Sequence, residues 1–231
     1  MNCKVLLSMV AGVLASGLFL TNLTVHAAPP PAKPNPVKKP PPPDYYPLRL
    51  NDWWQYRTTN SFSQTMDYKV KVIAAEVQPD KTVIYETLTE GLGKYPIHDW
   101  YIKAVGQVIR LVEQFGDEAK MQVTYDPPYG FLNNPLKEGD TWDWAGKGMM
   151  GVAVTDHGEV GPVEDIEVPA GKFKAVKVVD KVKQGGADVT KTYWYANWVG
   201  LVKSTVDAPS MHTGSELVDY SFKPKPKEEN K

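Results

Sequence analysis

The sequence predicts an all-β chain. The expected form is an antiparallel meander of about 11–12 strands, bent into a strongly curved sheet or half-barrel, from two tandem copies of a six-strand unit. Three observations lead there. Between Tyr45 and Phe222, short β-branched and aromatic runs alternate with turn residues, and helical periodicity is all but absent. Pro47-Leu48-Arg49-Leu50-Asn51-Asp52-Trp53-Trp54-Gln55-Tyr56 returns as Pro135-Leu136-Lys137-Glu138-Gly139-Asp140-Thr141-Trp142-Asp143-Trp144. Trp100-Tyr101 with Val105-Gly106 and Val108 then matches Trp194-Tyr195 with Val199-Gly200 and Val202, and Val123-x-Tyr125 matches Val218-x-Tyr220. The matches keep their order at a spacing of roughly 90 residues, as an internal repeat of 47–125 and 135–220 would.

Taken in order, residues 1–27 read as a secretory signal. Lys4 precedes the apolar run Val5–Leu20, and Val25-His26-Ala27 offers small positions for cleavage after Ala27. Uncleaved, the same run would be the chain's one membrane contact. Cys3 is the only cysteine, so cleavage leaves a chain without disulfides that its core alone must hold. Residues 28–44 form a proline-rich spacer, nine prolines falling between Ala28 and Pro43. Proline fixes φ and removes donors, so this segment joins neither helix nor sheet and extends on the order of 50 Å at about 3.1 Å per residue. The β-domain spans 45–222, and the lysine-rich end, 223–231, reads as a disordered tail.

Within the domain the expected strands start with Trp53–Thr59, Tyr68–Val72 and Thr82–Leu88. Trp100–Val105 and Val108–Val112 flank a hairpin turn, and Met121–Tyr125 is stopped by Asp126-Pro127-Pro128-Tyr129-Gly130. The second half offers Thr141–Trp144, Met150–Thr155, Val163–Val168, Phe173–Val182, Val189–Tyr195, Leu201–Val206 and Leu217–Phe222. Phe173–Val182 carries apolar residues on both phases at its centre, which predicts cover on both faces. Leu48/Leu136 and Asp52/Asp140 should sit at equivalent turns, the aspartates bonding nearby backbone amides.

Residues i and i+2 share a strand face, so Trp54/Tyr56 and Trp142/Trp144 make two aromatic pairs. With Trp100 and Trp194 they form the expected core of the repeat. Trp53 and Trp198 have no aromatic counterpart in the other half. They are the candidate ligand surface, suited to stacking a sugar or meeting an acyl chain. His98, His157 and His212 lack metal-ligand spacing, and the acidic run from Asp156 through Glu167 lacks the alternation of a calcium loop, so it reads as a solvated hairpin. No catalytic, phosphate-binding or dinucleotide motif occurs, and no cofactor or metal is expected. A net charge of −1 leaves no basic footprint for nucleic acid.

Tyr46–Tyr56, Val168–Val178 and Tyr193–Lys203 resemble stretches of the TapB-like domains, exported bacterial β-sheet proteins of unknown function. The family has Pro-Gly where this chain has Asn197-Trp198. The resemblance implies a secreted or periplasmic β-domain, related in shape to the curved half-barrels of LolA-like carriers. It transfers no catalytic residue. The expected function is that of an exported non-catalytic binding or structural module on a proline-rich stalk, facing an envelope component, a lipid or a glycan. The alternative is an envelope polysaccharide or peptidoglycan hydrolase using rim carboxylates such as Glu164, Asp165 or Glu167.

Overall fold

The computed structural model describes residues 40–118 and 121–223. The signal-type segment, most of the proline-rich spacer and nearly all of the tail lie outside the described residues. Twelve strands follow one another: β1 Trp53–Asn60, β2 Thr65–Val77, β3 Val83–Glu90, β4 Ile97–Ala104, β5 Gln107–Phe115 and β6 Gln122–Asn133. Then come β7 Thr141–Lys147, β8 Ala153–Val168, β9 Gly171–Gln184, β10 Ala187–Ala196, β11 Gly200–Ala208 and β12 Met211–Tyr220. A single 3-10 turn, Met149–Gly151, separates β7 from β8. No helix among the described residues is long and apolar enough to cross a membrane.

All twelve strands belong to one antiparallel sheet, ordered β6-β5-β4-β3-β2-β1-β12-β11-β10-β9-β8-β7. The first and last strands pair in the middle of this order, with Trp54 opposite Tyr220. The free edges are β6 and β7, neighbours in sequence, and the sheet curls until these edges meet in a nearly closed barrel. Bringing the two edges together shields them and reduces the edge-strand hazard of an open sheet of this width.

The two halves begin alike. Asn51 (φ 70°) and Gly139 (φ 85°) take the left-handed position of a turn in which Asp52 N donates to Arg49 O and Asp140 N to Lys137 O, each at 3.0 Å. Asn51 and Gly139 each donate to a valine carbonyl, on Val72 and Val160, and those valines donate back to Asp52 and Asp140. Leu48 and Leu136 are both buried beneath these turns. The Asp52 carboxylate bonds the Arg49 side chain at 2.7 Å rather than a backbone amide, since the turn already satisfies its amides internally. Next, β1 and β7 bury Trp54/Tyr56 and Trp142/Trp144. The fourth strands match as well. The β4–β5 ladder shifts register between Trp100 and Tyr101, and the β10–β11 ladder between Trp194 and Tyr195.

Two expected breaks are strand interior. The β6 strand runs through Pro127 and Pro128, and the β5–β6 ladder jumps from Arg110–Tyr129 to Val112–Thr124 around them. An edge strand needs no amide hydrogens on its free side, so a proline bulge survives there. Likewise β8 is continuous from Ala153 to Val168, with Gly161-Pro162 absorbed in a shift between Val160 and Val163. This merges two expected strands and leaves six per half. The tip of the β8–β9 hairpin reaches β12, where Ala170 N donates to Leu217 O at 3.0 Å. Near that tip Ala175 is wholly buried and its neighbour Val176 nearly so, as the sequence of β9 implied.

The residue just before the expected domain is anchored to it. Asp44 accepts from Lys103 Nζ at 2.6 Å and from Asn134 Nδ2 at 2.8 Å, and its carbonyl accepts from Trp198 N at 2.7 Å. This one residue pins the lead-in chain to β4, to the end of β6 and to the β10–β11 turn. Tyr46 then packs on Tyr101 and Phe131, with ring centroids 5.4 and 5.2 Å away.

Candidate ligand site

Ladder partners share a face, and following them across the sheet divides the barrel interior into two ends. At the aromatic end Trp54 lies opposite Val70, and Tyr56 opposite Tyr68 with their rings stacked at 5.1 Å. Their polar atoms go to backbone: Trp54 Nε1 donates to Val199 O at 2.6 Å and Tyr56 Oη to Leu201 O at 3.0 Å. A small cavity of about 120 Å³ remains there, bounded by these rings, Leu48, Tyr193 and Tyr195. Burial, with a smaller push from neighbouring tyrosines, holds Tyr56 and Tyr195 well above the ordinary phenol range, and burial outweighs the hydrogen bond with Tyr101 to raise Tyr46 to about 12.

The other end is ionisable. Tyr101, Arg110 and Tyr129 form one cross-strand row, and Asp99 faces Glu113 in the next. From the far side of the seam, Trp144 lies opposite Asp156, and Asp180 stands between Gly158 and Lys191. Arg110 Nη1 bonds Asp99 and Glu113, both at 3.0 Å, and its guanidinium lies 5.2–5.4 Å from the ring centres of Tyr125, Tyr129 and Phe131. Tyr125 Oη donates to Glu113 at 2.8 Å. No β6–β7 ladder forms among the described residues; side chains bridge the seam instead. Tyr129 Oη donates to Asp156, and Trp144 Nε1 to Pro127 O at 3.1 Å, a carbonyl that the proline bulge turns toward it.

The aromatic rings at the seam fit only because glycines lie under them. A Cβ on Gly158 would stand 2.3 Å from the Trp142 ring, and one on Gly146 would stand 2.3 Å from the Trp144 ring. Ala at either position would displace an indole.

A cavity of about 250 Å³ opens at the seam, lined by Arg110, Glu113, Tyr129, Trp144, Asp156 and Lys191 among others. Its charges are incompletely partnered. Asp156 Oδ1 and Arg110 Nε are buried without a hydrogen-bond partner, as is Asp180 Oδ1 outside the lining, and the half-buried Lys191 side chain forms no hydrogen bond or ion pair among the described residues. Burial raises the Asp180 carboxyl to about 8, the Asp156 charge adds to this, and Lys191 opposes it. Burial also raises Asp156 against the hydrogen bond from Tyr129, and it lowers Lys191, as does Arg110. For Arg110 burial works downward, but Glu113, Tyr101 and Asp99 outweigh it and push the guanidinium up.

The residues singled out in the sequence divide between the interior and the surface. Trp54, Tyr56, Trp142 and Trp144 are buried. Trp100 and Trp194 are only partly buried and stand on the other face, while the next residue in each strand, Tyr101 and Tyr195, fills the interior. Trp194 Nε1 donates to Glu164 at 2.7 Å and Trp100 stacks on His98. Trp53 lies under Lys69 Nζ, 4.1 Å from its ring centre, and Trp198 is exposed at φ 60°, in the left-handed position where the resembled family has glycine. No hydrogen bond or ring contact joins Trp53 to Trp198 among the described residues. Glu164, Asp165 and Glu167 sit in ion pairs with Lys177, Lys174 and Lys172 and line no interior cavity. His98, on β4, is only partly exposed and bonds Glu86 of the neighbouring β3 at 2.7 Å.

Asp156 is a further correction, since the acidic run from Asp156 to Glu167 is no single solvated patch. Strand alternation buries Asp156 and leaves His157 outside, bonded to Asp143. Arg110, Glu113, Asp180 and Lys191 were not recognised in the sequence. A signal existed for two of them: Asp180 interrupts the apolar phase Val176, Val178, Val182, and Lys191 stands in phase with Val189 and Tyr193.

No family model matches the sequence, and no curated protein matches it. Among solved structures, a candidate lipoprotein from Parabacteroides distasonis is similar at 13% identity and a TM-score of 0.45, over 79% of this chain and all of that one. A candidate exported protein with a YmcC-like fold from Bacteroides fragilis is similar at 13% and 0.44, over 78% and 99%. The hypothetical lipoprotein YmcC from Escherichia coli follows at 12% and 0.36, over 76% and 85%. The resemblance to TapB-like domains finds no support in these comparisons, and similarity at this level transfers no function to this chain.

Proposed function

We propose that the chain is an exported, non-catalytic binding module that holds its ligand inside the barrel, at the seam between β6 and β7. The observation that carries this reading is the set of buried, unpartnered polar atoms around the seam cavity. An unsatisfied buried polar group costs about 1–3 kcal/mol, and a protein with no other use for them would be more stable with an apolar lining. The ligand surface therefore moves from Trp53 and Trp198 on the outside to Trp144, Asp156 and Lys191 within. Native mass spectrometry of the protein isolated from its own cells tests this. A discrete added mass, lost in an Asp156→Asn variant, is the expected result; a bare mass, with no small molecule protecting the seam from hydrogen exchange, would sink the reading.

A hydrolase is the second reading, and one observation favours it. Asp180 keeps its proton near neutral pH beside a second carboxyl, the pairing that acid–base chemistry uses. Against it, Asp180 does not line the cavity. Turnover of an envelope glycan by the native chain, abolished in Asp180→Asn, would establish it over the binding reading.

A further inference from the structure

We propose that the seam cavity takes a neutral polyhydroxylated ligand of about monosaccharide size, whose hydroxyls bridge Asp156 and Lys191 beside Trp144. This rests on the reading of the barrel as a binding module, and it adds the chemical class.

The argument is one of hydrogen-bond inventory. Asp156 is 2% exposed, lines the cavity and spends one carboxylate oxygen on Tyr129, leaving Oδ1 without a donor. Lys191 lines the same cavity with three donors and no acceptor among the described residues, and Arg110 adds its orphaned Nε. A buried acceptor, a buried donor and the half-buried Lys191 ammonium thus line one space together.

An anionic ligand would satisfy Lys191 but meet Asp156 and Glu113. A cationic ligand would satisfy Asp156 but meet Lys191 and Arg110. A hydroxyl both donates and accepts, so one ligand with adjacent hydroxyls serves both sides without adding charge. The cavity, at about 250 Å³, far exceeds the space one water needs. Its aromatic wall, Trp144 with Tyr125 and Tyr129, offers C–H-bearing rings an apolar surface.

The test uses the full chain and named probes: glucose, N-acetylglucosamine and inositol, with butylammonium and acetate as charged controls. Binding is followed by tryptophan fluorescence and by calorimetry. Saturable binding of at least one polyol is expected, with neither charged control competing. Asp156→Asn keeps an acceptor for Tyr129 while presenting a donor in place of Oδ1, and should weaken binding about tenfold or more, equivalent to ~1.4 kcal/mol. Lys191→Met should do the same from the donor side, which guards against one variant failing to fold. No response to any polyol, or an unchanged response in both variants, overturns the proposal. Binding of butylammonium or acetate instead overturns the ligand class and leaves the binding module standing. If native mass spectrometry also finds nothing bound, both fall.

Discussion

The two ends of the barrel interior are buried alike and built oppositely. At the aromatic end, Trp54 and Tyr56 bury large apolar areas and hand their polar atoms to backbone carbonyls. Rings of that size contribute to stability simply by leaving water. At the seam end, two cations and four carboxyl groups are wholly or partly withdrawn from water, and their pairing is incomplete. Buried ion pairs seldom repay their desolvation, so this end is held in place by the rest of the sheet. The lesson is that burial identifies the core, where a lone unsatisfied atom such as Trp142 Nε1 is tolerated, whereas a cluster of buried, unsatisfied charges identifies the place with another task.

The comparison is tested most severely by truncating one residue at each end. Trp54→Ala should cost about 3–5 kcal/mol in denaturant unfolding, as should Trp142→Ala. Asp156→Asn should cost far less, because its hydrogen bond from Tyr129 survives. Equal losses would erase the distinction between the ends.

Arg110→Met is expected to cost nearly as much, about 3–5 kcal/mol, because it strands Asp99 and Glu113 without their cation. The triple variant Arg110→Met, Asp99→Asn, Glu113→Gln should recover much of that loss. A triple variant as unstable as the single one would mean that Arg110 acts through packing on the three rings and not through charge.

Asp180 supplies a pH dependence of definite sign. Its folded-state value, raised to about 8, lies above that of an unfolded carboxyl, so the folded protein binds the extra proton. That contribution is complete below the unfolded value near 4 and is lost as pH rises toward 8. The wild type should lose stability relative to Asp180→Asn across this window, with a slope of at most about 1.4 kcal/mol per pH unit. Parallel curves for the two proteins would show that Asp180 is ionised throughout.

The smallest effect belongs to the surface. Trp198→Gly removes an exposed ring from a left-handed position, φ 60°, that costs a non-glycine residue roughly 1–2 kcal/mol. Stability should change by less than about 1 kcal/mol or rise slightly, because glycine's own flexibility offsets the relief. A large loss would restore Trp198 to a structural role.

Much of the fold was legible because its signals are local. Strand alternation, the hairpin turn at Gly106 and the aromatic pairs Trp54/Tyr56 and Trp142/Trp144 need only neighbouring residues. The errors arose where a distant strand decides. Pro127-Pro128 reads as a stop, yet β6 continues because it is an edge. Trp100 and Trp194 look like core because they are tryptophans, yet the adjacent Tyr101 and Tyr195 face inward. Asp156 looks like part of a polar hairpin until β6 crosses the seam and places Tyr129 against it.

By itself, then, the sequence determined the class, a meander of about twelve strands and the aromatic pairs at the start of each half, because periodicity and turn chemistry act over a few residues. Tertiary structure alone decided that β1 joins β12, that the sheet opens between β6 and β7, and that Arg110, Glu113, Asp156 and Lys191 share one cavity. These residues come from three strands, β5, β8 and β10, brought together by closure of the sheet. Coulomb attraction, desolvation and hydrogen bonding depend on distance in space, which a linear spacing does not contain.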